Sequence, residues 1–335
     1  MWSVCEKSVE STFSEARGRL GSAETLLVTT HSRPDGDGLG AMAALCRSGR
    51  AAGKTVHMLL LDEIPRRYEF LFAEGTPAGV SRFETLSHAA DAIVILDTCV
   101  ISQLDGIGDK LPGVSKKVIV VDHHATVDRI GAVQWVDTSA AATGVMVGEL
   151  LEALGWPVDV RSAEALIAAA ASDTGWFQFA NTDGRCMRLV AKWLDKGVRP
   201  DKLYRRLYQN ARVNRLKLLS HILADMELHC DGRLAVMTVR REDFAATGAS
   251  ADETENLVNA SLEIGTVETA IMLVENAENI RVSLRSRDVV DVATIAEMFG
   301  GGGHKRAAGM RIIDSIDVVK DKLINICAKA LDEGR

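Results

Sequence analysis

In the first half of this chain, apolar runs stop abruptly at an acid or a histidine. Ala92-Ile-Val-Ile-Leu96 runs directly into Asp97, and Lys117-Val-Ile-Val-Val121 into Asp122-His123-His124. Thr25-Leu-Leu-Val-Thr-Thr30 leads likewise into His31-Ser-Arg-Pro-Asp35-Gly-Asp37-Gly-Leu-Gly40, and Thr55-Val-His-Met-Leu-Leu-Leu61 is a further run of this kind. Continuous apolar runs of about five residues, separated by helix-length segments, are what a parallel sheet buried on both faces requires. Such a sheet gathers the carboxyl ends of its strands along one edge, where open α/β sheets bind their ligands. The expected fold is therefore α/β, a mainly parallel sheet flanked by helices, with its chemistry at the strand ends.

At 335 residues the chain has length for about two domains. A helix is expected from about Leu39 to Ser48 after a turn loosened by glycine, and helical patterns follow over Thr143–Leu154 and Ser162–Ala171. From Arg185 to Met226 the chain stays helical and becomes basic, with Arg199, Lys202, Arg205, Arg206, Arg212, Arg215 and Lys217. That segment reads as a connector with a solvated face, an RNA-contacting face being the alternative. Arg233–Val239, Thr269–Val274 and Ile280–Arg285 then read as strands of a smaller α/β domain. The expected division is a first α/β domain over 1–190, a helical connector over 191–228 and a smaller domain over 229–335.

A formal net charge of -7 gives the chain no global basic field for nucleic acid or an anionic membrane, although a local site can still take a nucleotide through bound metals. No apolar run approaches the roughly 20 residues needed to cross a bilayer, and the opening Met1-Trp-Ser-Val-Cys-Glu-Lys-Ser has no apolar signal core. The six cysteines are scattered, with no CxxC pair, which reads as reduced thiols in a cytoplasmic protein.

A histidine and two carboxylates, His31, Asp35 and Asp37, stand within seven residues. A helix N-terminus with an acidic cap explains one of the two acids but not all three groups. One Asp after a buried strand is often a turn cap, yet parallel strands bring Asp97 and Asp122-His123-His124 to the same edge, where like charges repel. Divalent cations remove that cost. Asp173, after an Ala-rich helix, offers another carboxylate. Asp35, Asp37, Asp97 and Asp173 together carry the charge that two divalent cations neutralise. Carboxylate and imidazole ligands without thiolate favour Mn²⁺ or a comparable first-row ion. A two-metal centre of that type suits hydrolysis of phosphate esters, because a bridging water becomes hydroxide near neutral pH and both metals clamp the attacked phosphoryl group.

The set His31-x3-Asp35-x-Asp37, Asp97, Asp122-His123-His124 and Asp173 resembles the four motifs of the DHH phosphoesterase superfamily, in the family's order. That superfamily includes family II pyrophosphatases, RecJ-type exonucleases and small oligoribonuclease/pAp phosphatases. Phe299-Gly-Gly-Gly-Gly-His304-Lys-Arg-Ala-Ala-Gly309 and Val282-Ser-Leu-Arg285-Ser are similar to the signature of the accompanying DHHA1 domain. The resemblance implies that His31, Asp35 and Asp97 hold one metal. Asp37, Asp97, His123 and Asp173 hold the other, with Asp97 bridging. It assigns His124 to the substrate phosphate or transition state and Asp122 to orienting the histidines. The resemblance makes 1–190 the DHH catalytic domain and 229–335 the DHHA1 substrate-binding domain, with the active site in the cleft between them. Across that cleft Arg285, Gly302, Gly303 and His304 take the distal nucleotide or its terminal phosphate, the glycine amides being read as an anion nest.

Some residues keep an ordinary reading. His57, His88, His221 and His229 have no ligand-spaced partners. Cys99 flanks the site, Trp176 and Phe177 read as packing, with base stacking as the alternative, and Thr138, Ser139 and Thr143 as helix caps, although one hydroxyl can reach a phosphate.

The DHHA1 signature argues against the pyrophosphatase branch, and the length against a RecJ-type long-strand nuclease. The implied activity is Mn²⁺-dependent release of 5′-mononucleotides from short oligoribonucleotides (nanoRNA, dinucleotides such as pApA) and dephosphorylation of 3′-phosphoadenosine 5′-phosphate (pAp) to AMP. Cyclic-di-AMP fits the same site. Competing readings are an inorganic pyrophosphatase or exopolyphosphatase, and a nucleotide-binding regulator that has lost catalysis. Homodimers are common among similar proteins.

Overall fold

A computed structural model describes residues 8–73, 75–125 and 128–334. The opening stretch through Lys7, including Cys5, lies outside them. The chain divides into two compact units, Met1–Asn210 and Ala211–Arg335. Among the described residues no helix is long and apolar enough to cross a membrane.

The first unit is built on β1 (Thr25–Thr30), β2 (Thr55–Leu60), β3 (Ala78–Gly79), β4 (Ala92–Leu96), β5 (Val118–Asp122) and β6 (Val133–Val136), in the order β3-β2-β1-β4-β5-β6 with every pair parallel. Both faces are covered, which is why the central strands are apolar at nearly every position. Leu26, Val28, Val94, Leu96, Ile119 and Val121 pack into one core; Leu27, Ile93, Ile95, Val118 and Val120 pack into another. The helices of this unit are α1 (Val9–Ser22), α2 (Gly36–Ala51), α3 (Phe83–Ala89), α4 (Thr143–Leu154), α5 (Val160–Asp173), α6 (Gly184–Leu194) and α7 (Pro200–Tyr208). The chain moves outward from β1 to β2 and β3, then returns to place β4 on the other side of β1. The strand order therefore reverses between β1 and β4, the point at which open sheets leave a crevice beyond their carboxyl ends.

The first motif does not form a loosened turn. α2 begins at Gly36, three residues before the expected start, and its motif glycines are helical. They serve close packing. A Cβ on Gly40 would stand 2.5 Å from the Ala165 carbonyl oxygen, one on Gly36 2.8 Å from Ser172 Oγ, and one on Gly38 2.2 Å from Thr30 Oγ1. The Ala-rich α5 supplies the matching small surface against α2.

The second unit carries α8 (Val213–Ala224), β7 (Glu227–His229), β8 (Leu234–Val239), α9 (Arg241–Thr247), β9 (Thr269–Glu275), β10 (Ile280–Ser286), α10 (Val292–Glu297), β11 (Gly302–His304), β12 (Ala307–Ile312) and α11 (Ile316–Glu333). Its sheet runs β11-β12-β10-β9-β8-β7, antiparallel except for the parallel pair β8–β9. One face packs on α10 and α11 through Leu234, Ile271, Val282, Leu284, Val319 and Leu323. On the other, Met237, Val239, Ala270 and Met272 pack with Leu218 and Ile222 of α8.

The helices expected as a separate connector over 191–228 are shared between the units. α6 and α7 pack on α5, whereas α8 packs on α9 and β8. Three of the basic residues there are paired at the surface, in Arg199–Asp201, Arg206–Glu164 and Arg212–Glu253.

Candidate metal centre

The strand ends of β1, β4 and β5 and the start of α2 converge at the β1/β4 reversal. Asp35 is the N-cap of α2, its Oδ1 accepting from the amides of Asp37 at 2.9 Å and Gly38 at 3.2 Å. That cap turns Asp37 inward, where it is fully buried. Its two oxygens accept the amides of Thr143 at 2.6 Å and Gly144 at 2.8 Å, the first residues of α4. Asp97 follows β4 with φ 65°, a left-handed conformation that Asp tolerates better than most residues. Its Oδ1 accepts from Thr143 Oγ1 at 3.0 Å.

Three histidines face these carboxylates. His31 Nε2 is 3.5 Å from Asp97 Oδ2 and 3.9 Å from Asp35 Oδ1. His123 Nε2 is 3.1 Å from Asp173 Oδ2, 3.6 Å from Asp37 Oδ2 and 3.7 Å from Asp97 Oδ1. Backbone carbonyls fix both rings from behind, Ser32 O lying 2.9 Å from His31 Nδ1 and Ala140 O 3.2 Å from His123 Nδ1. A carbonyl partner requires the proton on Nδ1, which directs Nε2 as the ligating atom. His124 is set differently. Its Nδ1 donates to Asp122 Oδ1 at 2.7 Å, and that oxygen also accepts the amides of His123 at 2.8 Å and His124 at 3.2 Å.

Three groups of potential ligand atoms share Asp97: His31, Asp35 and Asp97; Asp37, Asp97 and His123; and Asp97, Asp122 and His124, the last with its Asp122–His124 pair already closed by a hydrogen bond. Asp173, the last residue of α5, joins the second through His123. Burial, then repulsion from Asp97 and Asp173, pushes the Asp37 carboxyl well up. Burial also raises Asp97, against the opposing hydrogen bond from His31. Burial alone would lower His31 and His123, yet the carboxylates around them hold both well above the ordinary imidazole value. Burial likewise opposes the rise at His124 that Asp122 and Asp97 produce. Asp122 itself is pushed up by burial and brought below its ordinary value by the His124 hydrogen bond. Asp35, by contrast, is brought below its ordinary value against burial by the His31 hydrogen bond. A set whose inward carboxylates Asp37 and Asp97 are raised by burial and by repulsion from neighbouring acids, and which draws protons to its imidazoles, is a set that accepts cations. Its oxygen and nitrogen donors suit a hard or borderline divalent ion, so the residues present fit a divalent metal.

Residues 25–171 match the family model of the DHH family N-terminal domain, and residues 231–332 match that of the DHHA1 domain. The chain is 32% identical over 284 residues to the bifunctional oligoribonuclease and PAP phosphatase NrnA of Thermus thermophilus, covering 85% of this chain and 83% of that one. The chain belongs to the DHH/DHHA1 phosphoesterase superfamily. It is accordingly a hydrolase. The NrnA protein of Bacillus subtilis is 27% identical over 316 residues, 91% of this chain and 95% of that one. Among solved structures, an exopolyphosphatase-related protein from Bacteroides fragilis shares the fold with a TM-score of 0.87 at 22% identity, covering 97% of this chain and 96% of that one.

In the DHHA1 domain, Arg285 lies on β10, its guanidinium donating to Asn259 Oδ1 at 3.0 Å and Asn256 Oδ1 at 3.1 Å. Gly302, Gly303 and His304 form β11, an exposed edge strand. The glycine run is not a nest of converging amides. Gly300 N donates to Glu297 O at 3.0 Å and Gly301 N to Ala296 O at 2.9 Å, closing the end of α10, while Gly303, at φ 140°, pairs with Ala308. Its missing Cβ lets the backbones approach: an added one would stand 2.5 Å from Ala307 O.

Thr143 is the residue whose role the sequence reading missed. It is not a cap, because Ala142 holds the N-cap position of α4 and Asp37 takes the helix amides. Its hydroxyl instead fixes Asp97. Ser139 bonds Asp137 at 2.6 Å rather than a helix end. Cys99 faces Asp122, and three of the spare histidines have local partners: His88 meets Glu84 O at 2.6 Å, His221 meets Asp243 at 3.0 Å and His229 meets Glu227 at 3.3 Å. Trp176 and Phe177 pack on the core and on each other, with Tyr204 and Tyr208 against Trp176.

Proposed function

We propose that this enzyme uses Mn²⁺ to release 5′-mononucleotides from short oligoribonucleotides, linear dinucleotides such as pApA included, and to dephosphorylate pAp to AMP, with cyclic-di-AMP as a further substrate of the same site. The observation that carries the reading is the pair of ligand groups, His31–Asp35–Asp97 and Asp37–Asp97–His123, joined through the buried Asp97. The names of the relatives supply the substrate class.

In this proposal His31, Asp35 and Asp97 hold one cation, and Asp37, Asp97, His123 and Asp173 the other. The chemistry that two bound divalent ions supply is activation of water near neutral pH and neutralisation of phosphoryl charge. Asp97 is held between the two groups by its bond from Thr143. Asp122 takes the His124 Nδ1 proton in a hydrogen bond and, with Asp97, favours the charged imidazolium, whose Nε2 proton would then serve the attacked phosphate or its leaving oxygen. Arg285, Gly302, Gly303 and His304 take the distal nucleotide or terminal phosphate. Neutral Asn256 and Asn259 orient the Arg285 guanidinium without cancelling its charge, and the glycine edge strand admits an anion to its backbone. Cys46, Cys99, Cys186, Cys230 and Cys327 are free thiols, which suits a reducing compartment, and the proposal sets the enzyme in the cytoplasm. Two copies working as a homodimer belong to the same proposal.

The test is one Mn²⁺ assay resolving products from an RNA pentamer, a 24-mer, pAp, cyclic-di-AMP and pyrophosphate. Mononucleotides from the pentamer and phosphate from pAp, with little from the 24-mer, are expected. Phosphate from pyrophosphate alone overturns the reading in favour of a pyrophosphatase.

A further inference from the structure

On β10, Arg281, Ser283 and Arg285 share one face of the sheet, alternating with the buried Val282 and Leu284. The antiparallel register sets Arg281 directly opposite Arg311 of β12, and Ser283 opposite Gly309. Over β8 and β9 this face is covered by the apolar cluster with α8, whereas Arg311 and Gly309 are exposed. Like charges directly opposite on antiparallel strands destabilise a sheet. The opposing charge at Arg281 and Arg285 is that of Glu255, outweighed at both by burial. Arg281 is tied to the neutral Thr254 hydroxyl, as Arg285 is tied to Asn256 and Asn259. Burial and the charge of Arg311 push the Arg281 guanidinium down, with Glu255 the opposing field.

We propose that the Arg281–Arg311 pair is a phosphate-gripping track that extends the Arg285 subsite along the sheet and binds the backbone of RNA beyond its first linkage. Arg285 lies four residue steps along the strand from Arg281, a span of about 13 Å. Adjacent phosphates of RNA stand closer together than that, so pAp or a dinucleotide fills one end only, and a fragment of several nucleotides reaches both. Arginine suits the task because its planar fork pairs phosphate oxygens two at a time. The track thus sets fragment-length preference, and this inference rests on the short-RNA reading above.

The experiment compares kcat/KM for an RNA pentamer and for pApA in wild-type enzyme and in the R281Q/R311Q double variant, at several NaCl concentrations. The pentamer-to-dinucleotide ratio is expected to fall about tenfold, equivalent to roughly 1.4 kcal/mol of differential binding. The slope of log KM for the pentamer against log salt should become shallower by about 0.7 for each RNA phosphate that the variant no longer neutralises. R281K/R311K should restore the salt slope. A ratio equal to wild type, at whatever absolute activity, overturns the track while leaving the substrate class intact. Wild-type enzyme that cleaves neither RNA overturns the substrate class, and the track with it.

Discussion

Asp37 accepts the amide hydrogen of Thr143 at 2.6 Å, across 106 residues of chain. The same carboxylate stands 3.6 Å from His123 Nε2. One buried side chain thus closes the N-terminus of α4 and belongs to a candidate cation group, so the fold and the site are fastened at the same point.

The two duties of Asp37 separate by substitution. Asp37→Asn keeps an acceptor for the α4 amides, whereas Asp37→Ala removes both oxygens. In chelator, Asp37→Ala should be less stable than Asp37→Asn by about 0.5–2 kcal/mol, the usual worth of a helix cap. Both should lose hydrolysis. Urea denaturation checks the order, and equal stability of the two variants would remove the capping role.

Thr143 touches Asp97 and nothing in the chemistry requires its hydroxyl to touch substrate. Thr143→Val should weaken metal affinity or activity by roughly 10–100-fold, the usual effect of removing such a supporting bond. Thr143→Ser should recover most of it. A Mn²⁺ titration of activity separates weaker affinity from slower turnover; unchanged behaviour in both would leave the 3.0 Å bond without functional weight.

Glycines in helices divide by what surrounds them. A Cβ on Gly40 would meet the Ala165 carbonyl at 2.5 Å, and backbone cannot move aside as a side chain can. Gly40→Ala should cost about 1–3 kcal/mol by overpacking. Gly18, within α1, has nothing within 4 Å of the built Cβ. Gly18→Ala should stabilise by about 0.4–1 kcal/mol through the unfolded chain. Chemical denaturation of both variants tests the contrast.

The same contrast explains what is legible in the sequence. β1 and β4 follow from their apolar runs because burial on both faces leaves few polar positions to blur the pattern. That Asp97 and Asp122-His123-His124 meet at one edge follows from parallel register alone, since each stands at a strand end. The start of α2 is hidden because glycine is a poor helix former; Asp35 capping and packing against α5, a long-range partner, make Gly36, Gly38 and Gly40 helical. β6, four residues with alternating burial, is too short to stand out. The glycine run of β11 reads as an anion loop until its partner β12 is known, because only that pairing shows which amides are committed. The Arg281–Arg311 juxtaposition is equally a matter of register.

Acid stability should reveal Asp137. Burial raises its carboxyl, but Ser139 and Arg185, the latter at 2.7 Å, bring it below the ordinary value. A carboxyl with a depressed folded pKa adds stability above its unfolded pKa of about 3.9, and that stability disappears as pH falls through the folded value. Wild type should therefore exceed Asp137→Asn by a constant margin from neutral pH to about 5, and the margin should close below about 4. Guanidinium midpoints across that range provide the measurement. A margin that persists at low pH would assign the effect to packing.

Asp97 gives the most discriminating outcome, because its substitution should change sign with metal. Burial and the repulsion of Asp35 and Asp173 raise its carboxyl despite His31, so the ionised form carries a cost in the absence of cations. Asn keeps the side chain's shape, accepts from Thr143, and tolerates φ 65° as Asp does. In chelator, Asp97→Asn should thus be at least as stable as wild type. With Mn²⁺ at about a hundredfold excess over its dissociation constant, wild type should gain about 2.7 kcal/mol by linkage. The variant, lacking the carboxylate common to both groups, should gain little and melt below wild type, and its hydrolysis should be abolished. Thermal melts of both proteins with chelator and with Mn²⁺ read the crossing directly. Equal Mn²⁺ stabilisation of the two would mean that Asp97 does not join the groups. Variant stability below wild type in chelator would mean that the repulsion at this carboxylate is already relieved without metal.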